Sequence, residues 1–378
     1  MGSRGLVLGR TTGRAVPRWS AYRGPMGEES DGSGASRGSV RGRCWSAFRR
    51  SPFFPATVLV LIVAAAAGLF AGSYTYAMAN PTPHNIPTAV TGVPASEVKR
   101  AEFVQGMERA LGAELRLRHF ATYQEARNAV DDQRVYAILQ SRHHAAGLDV
   151  SGASGATVAQ LLAETAPRVG EEIGVPVAVR DVNPLQKGDP RGLALFYITL
   201  AAVILGFVGA IQMSVHAGAL NPAERIAFTA AYSVLGGFTI AAVVDWGLGA
   251  VRLPFAESWL ILALTLFTSG MVFTMFNALF GRWAMLPTWG LMVLLGNPSS
   301  GGAVSWPLLP SLLGEIGRWL PPGASVNAQH TAVYFQQHQH FFPFAVLIAW
   351  AALSCAVFWT RRHRHPGGRE TAAAAAAG

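Results

Sequence analysis

The sequence predicts an α-helical polytopic membrane protein with a water-soluble α/β insert, and three observations carry that reading. Of 378 residues, 51% are hydrophobic and only 13% are charged, far fewer than the roughly one quarter charged in soluble domains. Several windows approach or exceed the ~18–20 apolar residues that cross ~30 Å of hydrocarbon as a helix. A long polar stretch, 80–192, separates the first such window from the rest.

In lipid every backbone polar group needs an internal partner, so the apolar windows are expected to be helices. Six spans are expected, at 54–79, 193–217, 227–250, 258–281, 284–296 and 341–360, the fifth being short and carrying Pro287. The net charge of +9 sits in the tails. Residues 1–50 hold ten arginines against Glu28, Glu29 and Asp31, and 361–378 hold four arginines against Glu370. The positive-inside rule then puts both ends in the cytoplasm and 80–192 outside; only Lys99 and Lys187 are lysines, against 28 arginines, a bias that suggests a high-GC bacterial genome and so a bacterial plasma membrane. An even number of spans agrees with that orientation. Beside a membrane span a basic tail is read as orientation and lipid contact, with no nucleic-acid role. "RRSPFF" before the first window, with alanines at 77 and 79, also fits a twin-arginine signal peptide. The apolar run from Phe53 to Met78 is longer than a usual signal core and favours a retained anchor.

Residues 1–45 are rich in Gly, Ser and Arg without hydrophobic period, which predicts disorder. "CWSAFRRSPFF" (44–54) fits either an interfacial helix or an aromatic and arginine anchor. Within 80–192, "NIPTAVTG" (85–92), "AELRLRHF" (113–120), "RVYAILQ" (134–140) and "VPVAVRDV" (175–182) read as strands. Helices are expected from Ser96, over "YQEARNAVDD" behind a Thr122/Glu125 capping box, and over 156–174. Alternating strands and helices predict a small sheet covered by helices.

Residues 297–340 are too apolar for an exposed loop and too broken for a span. "LLPSLLGEIGRWL" (308–320) and "ASVNAQHTAVYF" (324–335) predict two short helices separated by a Pro-Pro-Gly break. Lying between spans five and six, they predict a re-entrant hairpin on the outer side, buried against neighbouring helices. An amphipathic cap flat on the outer surface is the competing reading.

This arrangement resembles the permeases of ABC-2-type exporters, closest to the branch that includes the phage-infection-protein (Pip) family. The residues that carry the resemblance are "NPLQKGDPRGLALFYITL" (183–200), "GNPSSGGAVSWPLLPSLLGEIGRWLPPGASVNAQHTAVYF" (296–335) and, more weakly, "TYQEARNAVDDQRVYAILQ" (122–140). It covers about 80 to 360. The arginine-rich N-terminus and "QQHQHFF" depart from the family pattern. The resemblance implies a homo- or heterodimeric permease that exports a hydrophobic or amphipathic compound, with ATP hydrolysed on a separate subunit. This chain has no G-x-x-x-x-G-K-[ST] phosphate loop, so no cofactor is expected on it. The loop "HAGALNPAERIA" (216–227) is then the expected ATPase contact, through Asn221, Glu224 and Arg225, with an ordinary short loop as the alternative. Pathway or structural roles fall to Gly296, Asn297, Pro298, Gly301, Gly302, Pro321, Pro322 and Gly323.

Asp245 is the carboxylate deepest in an expected span, and intramembrane charges mark candidate functional sites; pairing with Arg252 is the structural alternative. His143, His144, His330, His338 and His340 invite a metal reading, but no acid or cysteine lies close in sequence to His338 and His340, so no metal site is expected. Cys44 and Cys355 give 80–192 no disulfide framework. No nucleophile elbow appears, and no enzymatic activity is expected. The small residues of "AAAAGLFAG", "GFVGA" and Gly236-Gly237 predict close helix packing, within a bundle or across a dimer. The competing function is a non-transporting receptor or cell-envelope assembly protein whose outer part binds a partner.

Overall fold

The computed structural model describes residues 49–51, 53–79, 81, 83–92, 97–141 and 146–364. The basic N-terminal stretch 1–48, including Cys44 and most of 44–54, lies outside them, as do Ser96, His143, His144 and residues 365–378. The chain divides into two compact units, 1–62 and 63–378. The first contributes, among its described residues, the start of helix α1 (Phe53–Met78); all that follows concerns the second.

The molecule is mostly helical, and among the described residues five helices are long and apolar enough to cross a membrane. They are α1, α5 (Ala194–His216), α6 (Pro222–Ala242) with its π-helical extension to Gly247, α7 (Phe255–Phe280) and α11 (Phe341–Arg364). The expected fifth span is shorter than a crossing. It forms α8 (Met285–Trp289) and a π-helical turn, Gly290–Gly296, a rod of about 18 Å at 1.5 Å per residue.

The polar stretch folds into a five-stranded sheet of order β2-β1-β3-β4-β5, from Leu115–His119, Ile86–Gly92, Ala137–Ser141, Ala146–Val150 and Val177–Asp181. β1 pairs parallel with β2 and β3, β3 antiparallel with β4, and β4 parallel with β5. Helices cover both faces. Ile86 and Val90 face α2 (Glu97–Leu111) and α4 (Ala156–Glu172) with Phe103, Met107 and Leu162. Ala89 and Ile138 face α3 (Tyr123–Asp131) with Ala126 and Val130. The period of two along β1 therefore sorts the two cores.

Two expectations change in detail. The strand expected at 134–140 starts at Ala137, and β4 was not anticipated. At α3, Thr122 Oγ1 accepts from the Glu125 N–H at 3.2 Å, but the Glu125 carboxylate reaches past Thr122 to the Ala121 N–H at 3.1 Å. The helix end is satisfied either way, one residue out of register with a capping box. Thr122→Ala is expected to cost about 1 kcal/mol, read as a lower chemical-unfolding midpoint.

α7 is the centre of the helical part, with 14 of its 26 residues buried. Close approach to its neighbours depends on glycine. A Cβ on Gly206 of α5 would meet the Leu266 carbonyl oxygen at 2.5 Å, and one on Gly237 of α6 would meet the Ala263 nitrogen at 2.7 Å. Tyr232 Oη donates to the Gly206 carbonyl at 2.6 Å. Gly68 and Gly72 of α1, by contrast, would meet nothing within 4 Å. The predicted small-residue packing is thus used inside the bundle by α5, α6 and α7, whereas α1 leaves its own glycines uncovered.

Candidate functional site

The broken apolar segment 296–335 builds a knot at the join between the α/β layer and the helices. The π-turn ends at Gly296, where a side chain would strike the Leu291 carbonyl and the Pro322 ring, both at 2.8 Å. Asn297 is 1% exposed; its Nδ2 donates to Tyr74 Oη of α1 at 2.7 Å, while its Oδ1 is buried without a partner. Ser73 of α1 donates to the Leu294 carbonyl at 2.5 Å, so α1 and the π-turn are stitched side by side. Pro298 is buried.

Gly301 is required twice over. Its φ of +80° disfavours any side chain, and a Cβ would sit 2.6 Å from the Trp306 indole. A Cβ on Gly302 would press on Phe196 at 2.9 Å. Two short helices follow, α9 (Ser311–Gly317) and α10 (Pro321–Tyr334). The helix expected over 308–320 begins only at Ser311, after Pro310, behind a short 3-10 turn at Trp306–Leu308. Nor is Pro-Pro-Gly the break. Pro321, Pro322 and Gly323 are the first turn of α10, since proline needs no N–H partner there and its φ is preset.

Ten of the fourteen residues of α10 are buried. Its polar side chains bind the bundle. Ser325 Oγ lies 2.6 Å from Thr265 Oγ1 and donates to Thr199 Oγ1 at 3.5 Å, and Gln329 Nε2 donates to the Ser258 carbonyl at 2.9 Å. Ser269 of α7 donates to the Val203 carbonyl at 2.6 Å. These hydroxyls form a seam along α7 that holds α5, α7 and α10 together, the device expected where helices cannot rely on water to drive them together.

The other end of α10 and the loop after it grip the α/β layer. Gln133 Nε2 donates to Thr331 Oγ1 at 3.3 Å, and His330 Nδ1 lies 3.3 Å from the Ala153 carbonyl. His338 Nδ1 sits 2.8 Å from Asp132 Oδ1, and His340 Nε2 sits 2.8 Å from the Asp132 carbonyl oxygen. Two histidines of "QQHQHFF" therefore clamp the C-terminal end of α3 to the start of α11. Among the described residues no cluster of three or more His, Cys, Asp or Glu could hold a metal ion.

Burial alone would raise the Asp132 carboxyl, but hydrogen bonds from His338 and Arg134 and their charges outweigh it and hold the group below its ordinary range. A carboxyl depressed on folding stabilises fully above its unfolded value near ~3.9 and loses that contribution as pH falls through the folded value. Asp132→Asn is therefore expected to lower the unfolding midpoint of the purified chain at pH 7, with the gap to wild type closing below about pH 4.

The remaining sequence candidates lie apart from the knot. Asp245 falls in the π-helical turn Val243–Gly247 and is half-buried; no ion pair joins it to Arg252. Instead the Arg252 backbone is held by Gln186, whose Oε1 accepts at 2.7 Å and whose Nε2 donates at 3.1 Å. The π-turn stacks Trp246 on Phe255 at 4.3 Å between ring centroids. Asn221 and Glu224 form the complete capping box of α6. Arg225 is only 7% exposed and donates to the Ala217 carbonyl at 3.0 Å. It ties the 217–221 turn down through that carbonyl.

No family model, curated protein or solved structure matches this chain. The site is therefore read from its own chemistry. Sequence reasoning missed the hydroxyl seam, although Ser258, Thr265 and Ser269 recur at helical spacing within an apolar run and could have signalled it. It also missed the buried Asp149, which accepts from Tyr123, Gln140 and both forks of Arg180 at 2.7–3.1 Å. Those partners lie far apart in sequence and carry no local signal.

Proposed function

We propose that this chain is the permease subunit of an ABC-2-type exporter that moves a hydrophobic or amphipathic compound out of the cell, powered by a separate P-loop ATPase. On this reading Met285–Gly296, too short to cross alone, makes the fifth of six passages together with the broken segment that follows it, the α/β layer is outside, and both basic tails are cytoplasmic. The observation that supports it best is α10: a short helix buried in the bundle, entered through a glycine and proline knot, and attached at its far end to the outer layer. Irregular backbone of that kind among spanning helices suits a gate more than an anchor.

The pathway belongs between two copies of the chain. The hydroxyl seam fills the centre of one bundle, whereas from Val63 onward α1 buries only Ala77 and leaves an apolar face for a partner helix. The ATPase would dock on the exposed turn around Gly218, Ala219 and Asn221, which Arg225 holds in shape.

The test is purification from the native host in mild detergent, with mass spectrometry of what co-purifies. A stoichiometric P-loop ATPase is expected. Its absence, with other envelope proteins retained in its place, would overturn the exporter reading in favour of an envelope receptor or assembly protein.

A further inference from the structure

Between the edge of the sheet and the start of α11 lies a cleft of about 680 Å³, within the size range of small-molecule sites. Its walls come from elements distant in sequence. β2, an edge strand of the sheet, contributes Arg116 and Arg118, two residues apart and so on one face of the strand. α9 contributes Glu315, and Arg318 and Trp319 follow from the turn after it.

The charge in this cleft is not balanced. Asp132 is already engaged by His338 and Arg134. Among the described residues Arg116, Arg118 and Arg318 form no ion pair, and Glu315, the other acid in the wall, is in none either. Arg318 is nevertheless positioned: its guanidinium lies over the Trp306 ring, 5.0 Å from the centroid. A guanidinium held on an aromatic face can still make a forked contact with a phosphate or carboxylate.

One wall is apolar and open. Trp319 is 62% exposed and meets Phe342 edge to face at 4.9 Å. Phe342 belongs to the first turn of α11, a helix of spanning length. The arginines and the exposed aromatics are thus neighbours at the level where an apolar helix begins.

We propose that this cleft binds a phosphate-bearing anionic amphiphile, its headgroup held by Arg116, Arg118 and Arg318 and its chain laid along Trp319 and Phe342. The arginine forks supply the anion contact, and the aromatic wall selects a ligand with an apolar tail over a free anion. The assignment stands apart from the exporter reading: an ATPase partner can be absent while the cleft still binds its ligand.

The experiment is native mass spectrometry of the full chain in detergent, titrated separately with phosphatidylglycerol, phosphatidylcholine and inorganic phosphate. Phosphatidylglycerol is expected to bind, with phosphatidylcholine and inorganic phosphate far weaker. R116Q/R118Q should weaken it at least about tenfold, the worth of one lost charged hydrogen bond. R168Q, on the exposed side of α4, should leave it unchanged. R318Q is a second, independent variant should the double substitution fail to fold. Equal binding of phosphatidylglycerol by the folded arginine variants, or equal binding of phosphatidylcholine, would overturn the proposal. Inorganic phosphate binding as tightly as the lipid would overturn the amphiphile and leave a free-anion site.

Discussion

Gly206→Val should abolish the native helix bundle. The added carbons would enter α7 where a single Cβ already stands 2.5 Å from the Leu266 carbonyl oxygen and 2.8 Å from Ser269 Cβ. Backbone atoms of a buried helix cannot rotate away as a side-chain tip can. Overpacking of ordinary cores costs about 1–3 kcal/mol, and driving α5 away from α6 and α7 would also break the Tyr232 hydrogen bond from α6 to Gly206 and the Ser269 bond from α7 to Val203. The expected result is loss of monodisperse protein on size exclusion and a sharply lower unfolding midpoint in detergent. Gly72→Val, on the open face of α1, is the contrast and should leave the protomer intact. A folded Gly206→Val protein with an unchanged midpoint would mean that α5 and α7 do not pack as described.

The second large effect is expected at the knot. Side chains at Gly317 and Gly323 would drive into the carbonyl oxygens of Ser299 and Gly317 respectively. Both contacts are to backbone, and they stack three consecutive parts of the segment: the turn after the π-helix, the end of α9 and the start of α10. Gly323→Val should therefore expel the first turn of α10 from its place and weaken the Ser325 contacts to Thr265 and Thr199. The bundle outside α10 has its own contacts, so folding should survive with a cost of about 1–3 kcal/mol. Limited proteolysis reads the change: cleavage between 303 and 320 should become fast in Gly323→Val and stay slow in wild type. Equal resistance in both would sink this account of the knot. If the exporter reading holds, the same variant should lose export while still binding its ATPase.

How much of this was legible in the sequence depends on the range of the interaction. The five long apolar helices and four of the five strands followed from local hydrophobic period, because burial of a helix or a pleated strand repeats along the chain itself. β4 was not legible, since Ala146, Gly147 and Asp149 lack strand preference and the segment is a strand only because β3 and β5 flank it. The Pro-Pro-Gly run was legible as punctuation but not as its kind; proline both ends and begins helices, and only the three-dimensional setting chose the beginning. The glycines and prolines from Gly296 to Gly323 announced a packed irregular segment, and they do meet in one place. What they pack against was not announced. Asp132 and His338 lie 206 positions apart, and no periodicity links them. The same holds for Arg225, whose burial is decided by the turn that it closes.

α10 is fastened at both ends. Ser325 and Gln329 hold it to α5 and α7, while Thr331 and His330 hold it to Gln133 and Ala153 of the sheet layer. Mechanically it is a connecting rod. A tilt of the α/β layer relative to the helices has two outcomes: the rod is pulled along its axis, or the hydrogen bonds at one of its ends give way. Because its Pro322 end rests on the Gly296 turn, a pull would lift Pro322 off that glycine, converting rotation of the sheet layer into separation among the helices.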